Sequence, residues 1–236
     1  MSRSPSFWVV IPAAGVGSRM RADRPKQYLQ LGGRTILEHT LDCFLGHPNL
    51  LGLVVSLAED DPWWPSLACA SDSRIHRAAG GAERADSVLS GLRLLGKLGA
   101  AADDWVLVHD AARPNLIRED LDRLLAELAN DPVGGLLAVP VRDTLKRVGP
   151  DGRVRETVDR SVIWQAYTPQ MFRFGALEEA LAGALARKVA ITDEASALEW
   201  AGQSPRLVEG RADNLKITRP EDLQWLAQRW SNRPEA

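Results

Sequence analysis

The run Pro12-Ala13-Ala14-Gly15-Val16-Gly17-Ser18-Arg19-Met20 combines small side chains with a cation near its far end, and Lys26 follows directly after Pro25. Small residues let backbone N–H groups approach phosphate oxygens, while Arg19 and Lys26 add charge-assisted contacts, so the run reads as a phosphate cradle. A glycine turn beside a solvated Arg and Lys explains the same residues, and a Gly-x-Gly alone does not decide between the two. A second turn, Gly80-Gly81-Ala82-Glu83-Arg84-Ala85-Asp86-Ser87, offers close backbone approach, N–H donors and the Ser87 hydroxyl, which suits a base or ribose. Ser87 as an ordinary early-helix residue beside a tight turn is the competing reading. In the third run, Trp105-Val106-Leu107-Val108-His109-Asp110-Ala111-Ala112-Arg113-Pro114, Asp110 ends a buried strand and is placed to hold Mg²⁺ against nucleotide oxygens. An ordinary helix cap would also account for Asp110. Strand alternation points His109 the other way, as a packed, hydrogen-bonded core histidine.

Other chemistries find less support. The dinucleotide fingerprint needs a third glycine where Met20 stands, and no Gly-x-x-x-x-Gly-Lys-Ser/Thr loop occurs. There is no Ser-His-Asp order, no Gly-x-Ser-x-Gly and no His-Glu-x-x-His, so a covalent intermediate or a metalloprotease-type site is not expected. Cys43 and Cys69 have neither Cys-x-x-Cys spacing nor a nearby His and read as buried thiols. The 29 basic and 31 acidic residues leave a net charge of -2, which gives no general attraction to nucleic acid or membrane. No apolar run is long enough to span a bilayer, and the short polar stretch 1–6 does not resemble an export signal, so a cytoplasmic protein is expected.

The elements that must position these loops follow from hydrophobic spacing. Phe7-Trp8-Val9-Val10-Ile11 is continuously apolar up to Pro12, as in a central strand buried on both faces of a parallel sheet. Runs 53–57, 105–108 and 136–139 have the same character. Helical spacing puts Leu37, Leu41, Phe44 and Leu45 on one face, Val88, Leu92 and Leu95 on a second, and Leu121, Leu124, Leu125 and Leu128 on a third. Strand then helix, repeated, implies parallel βαβ units, and the whole of 1–236 is expected to form one domain. Segment 140–165 breaks the rhythm, being charged and poor in core residues, and is read as a β-arm around the turn Gly149-Pro150-Asp151-Gly152. Helices over 175–188 and 193–202, a strand at Leu207-Val208 and a closing helix capped by Thr218 with Pro220 at its start complete the chain.

Taken in order, these segments resemble the 2-C-methyl-D-erythritol 4-phosphate cytidylyltransferase family. The matching runs are PAAGVGSRM with PKQY, GGAERADSV, VLVHDAARP, PVRDTLK, TVDR, TPQ, TDEASALE and VEGRADNLKIT, which span nearly the whole chain. The resemblance implies an α/β, Rossmann-like, mostly parallel sheet with flanking helices, and a cytidylyltransferase that uses CTP and Mg²⁺. It places Pro12, Ala13, Ala14, Gly15, Gly17, Gly81, Ser87 and Asp110 at the nucleotide, with Asp110 near the metal, and makes Arg19, Lys26 and Lys216 catalytic. Arg113, Thr144, Arg160, Thr168 and Thr192 would line the methylerythritol phosphate side. It also implies a homodimer in which the arm reaches the neighbouring subunit. Singly, each assignment has an ordinary alternative: Thr144 and Arg160 as exposed strand residues, Thr192 as a helix cap, Lys216 as the solvent-facing member of an alternating strand.

The implied reaction needs no general base, because a phosphate monoester has its second pKa near ~6 and is already largely ionised at neutral pH. What it needs is a way to bring two anions together and to stabilise charge growing on the α-phosphate and pyrophosphate. A cytidylyltransferase for another polyol phosphate, such as ribitol 5-phosphate, would share the nucleotide residues. A non-catalytic nucleotide-binding protein on the same sheet is a rival of another class, since fold alone does not establish activity.

Overall fold

The computed structural model describes residues 4–15, 17, 20 and 22–231. In chain order they form β1 (Phe7–Pro12), β2 (Gln30–Leu31), β3 (Arg34–Thr35), α1 (Ile36–Leu45), β4 (Leu50–Leu57), β5 (Ile75–Ala79), α2 (Arg84–Lys97), β6 (Trp105–Val108) and α3 (Arg118–Leu128). There follow β7 (Gly134–Pro140), β8 (Leu145–Val148), β9 (Val154–Val158), β10 (Trp164–Arg173), α4 (Phe174–Ala186), α5 (Glu194–Trp200), β11 (Arg206–Glu209) and α6 (Pro220–Ser231).

The main sheet has strand order β11-β7-β10-β6-β1-β4-β5. β10 pairs antiparallel with both β6 and β7, and the other pairings are parallel. The carboxyl ends of β1, β4, β5, β6, β7 and β11 therefore share one edge, where open α/β sheets bind ligands.

Alternation along the strands decides which face each residue serves. Val9 and Ile11 of β1 pack with Leu53, Val55 and Leu107 under α1 and α3, while Val10, Val54, Val106 and Val108 pack on the other face under α2 and α4. The continuous apolar run of β1 follows from helices covering both faces. A third, smaller cluster joins Met20, Leu31, Ile36, Ala112, Ile217 and Leu226, and it fastens α6 beneath the segment that carries Lys26 and Lys216.

Two strands of the main sheet lie outside the sequence expectation, as does the short β2–β3 pair. β5 is a half-exposed edge strand, Ile75-His76-Arg77-Ala78-Ala79, with little apolar signal. β10 contains Pro169 and still occupies the middle of the sheet, because its register with β7 shifts between Ala166 and Gln170. That shift puts Tyr167, Thr168 and Pro169 into a bulge, where a residue without an N–H is tolerated.

The arm is a β8–β9 hairpin in its own sheet, with Leu145 opposite Val158 and a Gly149-to-Gly152 turn closed by a 3.0 Å backbone hydrogen bond. It leaves the main sheet where Pro140 of β7 pairs with Trp164 of β10. Val148, Val154 and Val162 on it are exposed.

Two caps differ from expectation. Asp193, not Thr192, caps α5, with its carboxylate accepting from the Ser196 N–H at 3.0 Å. At α6 the Thr218 hydroxyl donates to the Lys216 carbonyl, while the Asp222 carboxylate accepts the N–H groups of Thr218 and Arg219. A carboxylate reaching back from the first turn satisfies two orphan donors and leaves no need for a Thr cap. Cys43 and Cys69 are half-buried thiols; the Cys43 thiol donates to the His39 carbonyl at 3.3 Å, and burial pushes the Cys69 thiol up to about 11.

Candidate active site

The two glycine turns press against each other at the carboxyl edge. A side chain at Gly80 would put its Cβ 2.1 Å from the Ala14 Cβ and 3.1 Å from the Leu57 carbonyl, so only glycine lets the turns meet. At Gly17, φ is +66° and a Cβ would meet the Lys26 side chain at 3.0 Å. The Gln27 amide donates to the carbonyls of Ala13 (2.6 Å) and Gly15 (3.2 Å), which pins the cradle from behind. Ser87 Oγ accepts the Gly81 N–H at 3.0 Å and donates to the Glu83 carbonyl at 3.2 Å, so the Ser87 hydroxyl shapes its own turn.

Pro12, Ala13, Ala14, Gly15, Lys26, Gly81, Ser87, Asp110 and Lys216 line one cavity of about 190 Å³, together with Gln27, Arg84, Ala111 and Ala112. Gly17 backs Lys26. A second cavity, also about 190 Å³, gathers Arg113, Thr168 and Thr192 with Tyr167, Gln170 and Asp193. Arg84, Asp110 and Lys216 belong to both. Thr144 and Arg160 line neither: both are exposed on the arm, where Arg160 donates to the Arg142 carbonyl. Arg19 lies outside the described residues.

Asp110 sits at the joint between the cavities. It is 6% exposed, and its oxygens accept from Arg84 Nε at 3.2 Å, Arg113 Nε at 3.1 Å and Lys216 Nζ at 3.0 Å. Burial alone would push its carboxyl up, but Arg84, Lys216 and Arg113 outweigh that and hold it far below the usual carboxylate range. Lys216 lies in irregular chain between β11 and α6, with its ammonium on Asp110. Arg113 also donates to the Asn214 carbonyl at 2.7 Å and stacks 4.6 Å from the Tyr167 ring centroid.

His109 is fully buried and supports this arrangement from the core side. The Thr168 hydroxyl accepts the Asp110 N–H (3.1 Å) and lies 3.0 Å from His109 Nδ1, so it donates its own hydrogen there. That leaves His109 Nε2 to donate to the Arg113 carbonyl at 3.0 Å. Burial keeps this imidazole neutral, with its pKa down at about 4.

The sequence model of IspD, described as 2-C-methyl-D-erythritol 4-phosphate cytidylyltransferase, matches residues 7–230. The chain belongs to this family. A protein of that name from Pseudomonas fluorescens strain Pf-5 is 77% identical over 229 residues, covering 97% of each chain. Among solved structures, a 4-diphosphocytidyl-2C-methyl-D-erythritol synthase superposes with a TM-score of 0.82 at 41% identity, over 96% of this chain and 99% of the other. The Francisella tularensis IspD gives 0.82 at 36% identity, over 94% and 99%. Membership in the IspD family thus covers nearly the full length, including every loop at the carboxyl edge.

Arg84 and Glu194, both inside the family motifs, are residues that reading the sequence one motif at a time misses. The guanidinium of Arg84 donates to both Glu194 oxygens, at 2.6 and 3.1 Å, and Glu194 is 1% exposed. The available signal was one unassigned cation in GGAERADSV and three unassigned acidic residues, Asp193, Glu194 and Glu199, in TDEASALE.

Among the described residues no group of three or more His, Cys, Asp or Glu is placed to hold a metal ion. With three cations already on Asp110, the residues do not fit a resident metal site. They leave Asp110 able to offer at most one oxygen to an ion that brings its other ligands along.

Proposed function

We propose that this chain transfers CMP from CTP to 2-C-methyl-D-erythritol 4-phosphate, releasing pyrophosphate and forming CDP-methylerythritol for isoprenoid precursor synthesis. The observation that carries the reading is the pair of cavities that meet at Arg84, Asp110 and Lys216. Such a joint is what attack by one bound phosphate on another requires.

In this reading the small-residue cradle and Lys26 hold the triphosphate, while the Gly81–Ser87 turn presents backbone to the cytidine. Arg113, Thr168 and Thr192 face the methylerythritol phosphate. The joint holds Arg84, Arg113 and Lys216 against Asp110 and Glu194, an excess of one positive charge, while Lys26 lines the nucleotide cavity together with Glu83. This excess suits two anions that must come together, and it stabilises the charge that grows on the α-phosphate and the leaving pyrophosphate. The acceptor phosphate is ionised at neutral pH and needs no base to attack. Mg²⁺ would enter with the nucleotide substrate and supply neutralising charge at its phosphates, and Asp110, which lines the nucleotide cavity, would be a carboxylate able to meet it.

The dimer belongs to the same proposal. Val148, Val154 and Val162 on the arm and Trp164 at its base are exposed, and Thr144 and Arg160 are exposed outside both cavities. A partner subunit would cover the first set and receive the second. A CTP-consuming enzyme whose two cysteines are thiols is proposed to work in the cytoplasm, where thiols stay reduced.

The test is release of pyrophosphate in Mg²⁺ with each of the four nucleoside triphosphates against a panel of polyol phosphates that includes ribitol 5-phosphate. Turnover confined to CTP with methylerythritol phosphate is the expected result. Turnover with ribitol 5-phosphate, or binding without turnover, would replace the proposal.

A further inference from the structure

Arg84 is the first residue of α2, at the end of the nucleotide-side glycine turn, and Glu194 is the first residue of α5, two positions after Thr192 on the acceptor side. Their contact joins helices 110 positions apart in sequence. The start of α5 is itself held: Gln170, where β10 resumes its pairing after the bulge, accepts the Ala195 N–H at 2.8 Å and donates to Asp193 at 2.9 Å.

The physical chemistry of the pair makes it directional. Glu194 is buried, and its carboxylate oxygens find their hydrogen-bond donors on Arg84 alone among the described residues. A buried carboxylate without its cation is strongly unfavourable, so wherever the start of α5 moves, the guanidinium of Arg84 must follow. The two-pronged contact fixes the guanidinium plane, and in that plane Nε reaches Asp110 at 3.2 Å. Three of the five N–H donors of Arg84 are thereby engaged, and two remain for a ligand in cavities that Arg84 lines on both sides.

We infer that Glu194 is a positioning residue that acts through Arg84, transmitting occupancy of the acceptor cavity to the nucleotide cavity and the reverse. Acceptor binding at Thr192 settles the start of α5, which sets Arg84, which sets Asp110 and through it Lys216. Because coupling between two sites is reciprocal, the nucleotide prepares the acceptor cavity by the same amount. The inference rests on the proposed pair of substrates, and it explains why a buried ion pair stands here when a matched apolar pair would serve stability as well or better.

The experiment measures binding of a non-reactive α,β-methylene CTP with Mg²⁺ to the full-length protein, with and without saturating methylerythritol phosphate. In the native chain the acceptor should tighten analogue binding on the order of 10-fold. In Glu194→Gln, which keeps the shape but returns a donor to the guanidinium, the analogue alone should bind within about 3-fold of native. The tightening by acceptor should fall towards 1-fold, and in turnover the KM for acceptor should rise more than kcat falls. Glu194→Asp should recover part of the coupling. A residue that only held the fold together would weaken both ligands alike and leave their ratio intact, so an unchanged ratio in a folded Glu194→Gln overturns the inference. No tightening in the native chain overturns it too. If Glu194→Gln does not fold, Arg84→Lys takes its place, keeping the charge and losing the two-pronged contact, with the same expected loss. Native protein that fails to turn over CTP with methylerythritol phosphate would defeat the substrate proposal, a result distinct from any of these.

Discussion

Lys26 donates its ammonium to the backbone carbonyl of Ile217 at 2.9 Å, so a cation of the first glycine loop is tied to the residue next to Lys216. The two lysines, 190 positions apart, therefore share one support. Removing either disturbs the seat of the other.

Lys26→Ala should lower kcat at saturating CTP by an amount comparable to losing an oxyanion donor, about 2.7–4 kcal/mol, and Arg19→Ala should behave alike. Single-turnover rates check this, and an effect confined to KM would mean uniform binding instead. Because of the shared support, Lys26→Ala with Lys216→Ala should cost less than the sum of the single losses.

Asp110→Asn should destabilise the chain as well as inactivate it. A strand-end carboxylate awaiting a metal could be neutralised with little structural loss, but this carboxylate is the common partner of Arg84, Arg113 and Lys216. Breaking such a buried network typically costs about 3–5 kcal/mol. Urea unfolding and turnover measured together provide the check, and a native unfolding midpoint would disprove the network's structural role. Adding EDTA to the native enzyme should stop turnover without moving the midpoint, since Asp110 is held by Arg84, Arg113 and Lys216 of the chain itself.

His109 sets an acid limit on stability. Its folded pKa lies at about 4, below the ordinary 6.5, so between those values the unfolded chain binds a proton that the folded chain refuses. Stability contributed by the neutral imidazole is present above pH 6.5 and is lost as pH falls towards 4, on the order of 3 kcal/mol across that window. Unfolding free energies at successive pH values should have a slope reduced by about one proton in His109→Gln. An equal slope in both proteins would remove His109 as the cause.

Mixing Lys26→Ala chains with Arg160→Ala chains should restore activity that neither has alone. If the arm of one subunit completes the site of the other, a heterodimer has one site with both lesions and one with none. The readout is turnover after co-refolding, and a verified heterodimer with no recovery would sink the shared-site proposal.

Much of this was legible in the residues, for identifiable reasons. β1, β4, β6 and β7 announce themselves because a strand covered on both faces must be apolar at every position. The arm was legible from the reverse signal, charge without enough apolar residues for a core. β10 was not, since Thr168-Pro169-Gln170 looks like a strand terminator until the bulge beside β7 is known. The site divided along the same line. Backbone-led features such as the cradle and the Gly80 turn are local and could be read, whereas the Arg84–Glu194 pair is made by two helices meeting in space. Nothing within either helix requires the other. The reading of Thr218 as a cap failed for a related reason: its hydroxyl turns back to the Lys216 carbonyl, while Asp222, one turn further on, holds the N–H groups of Thr218 and Arg219 at the helix entry.

The place where the arm joins the sheet has a consequence for how this chain tolerates change. Pro140 and Trp164 are paired neighbours, so both ends of the arm start from adjacent points on the sheet. In topological terms β7 and β10 are already a hairpin, and the arm is only its connecting loop, grown long. Lengthening such a loop costs little, about 0.6 kcal/mol of closure entropy for each doubling. Insertions, deletions or a transplanted arm therefore change the hairpin while the sheet that holds the chemistry stays as it is. If the arm joins two subunits as proposed, assembly and catalysis could drift separately in sequence.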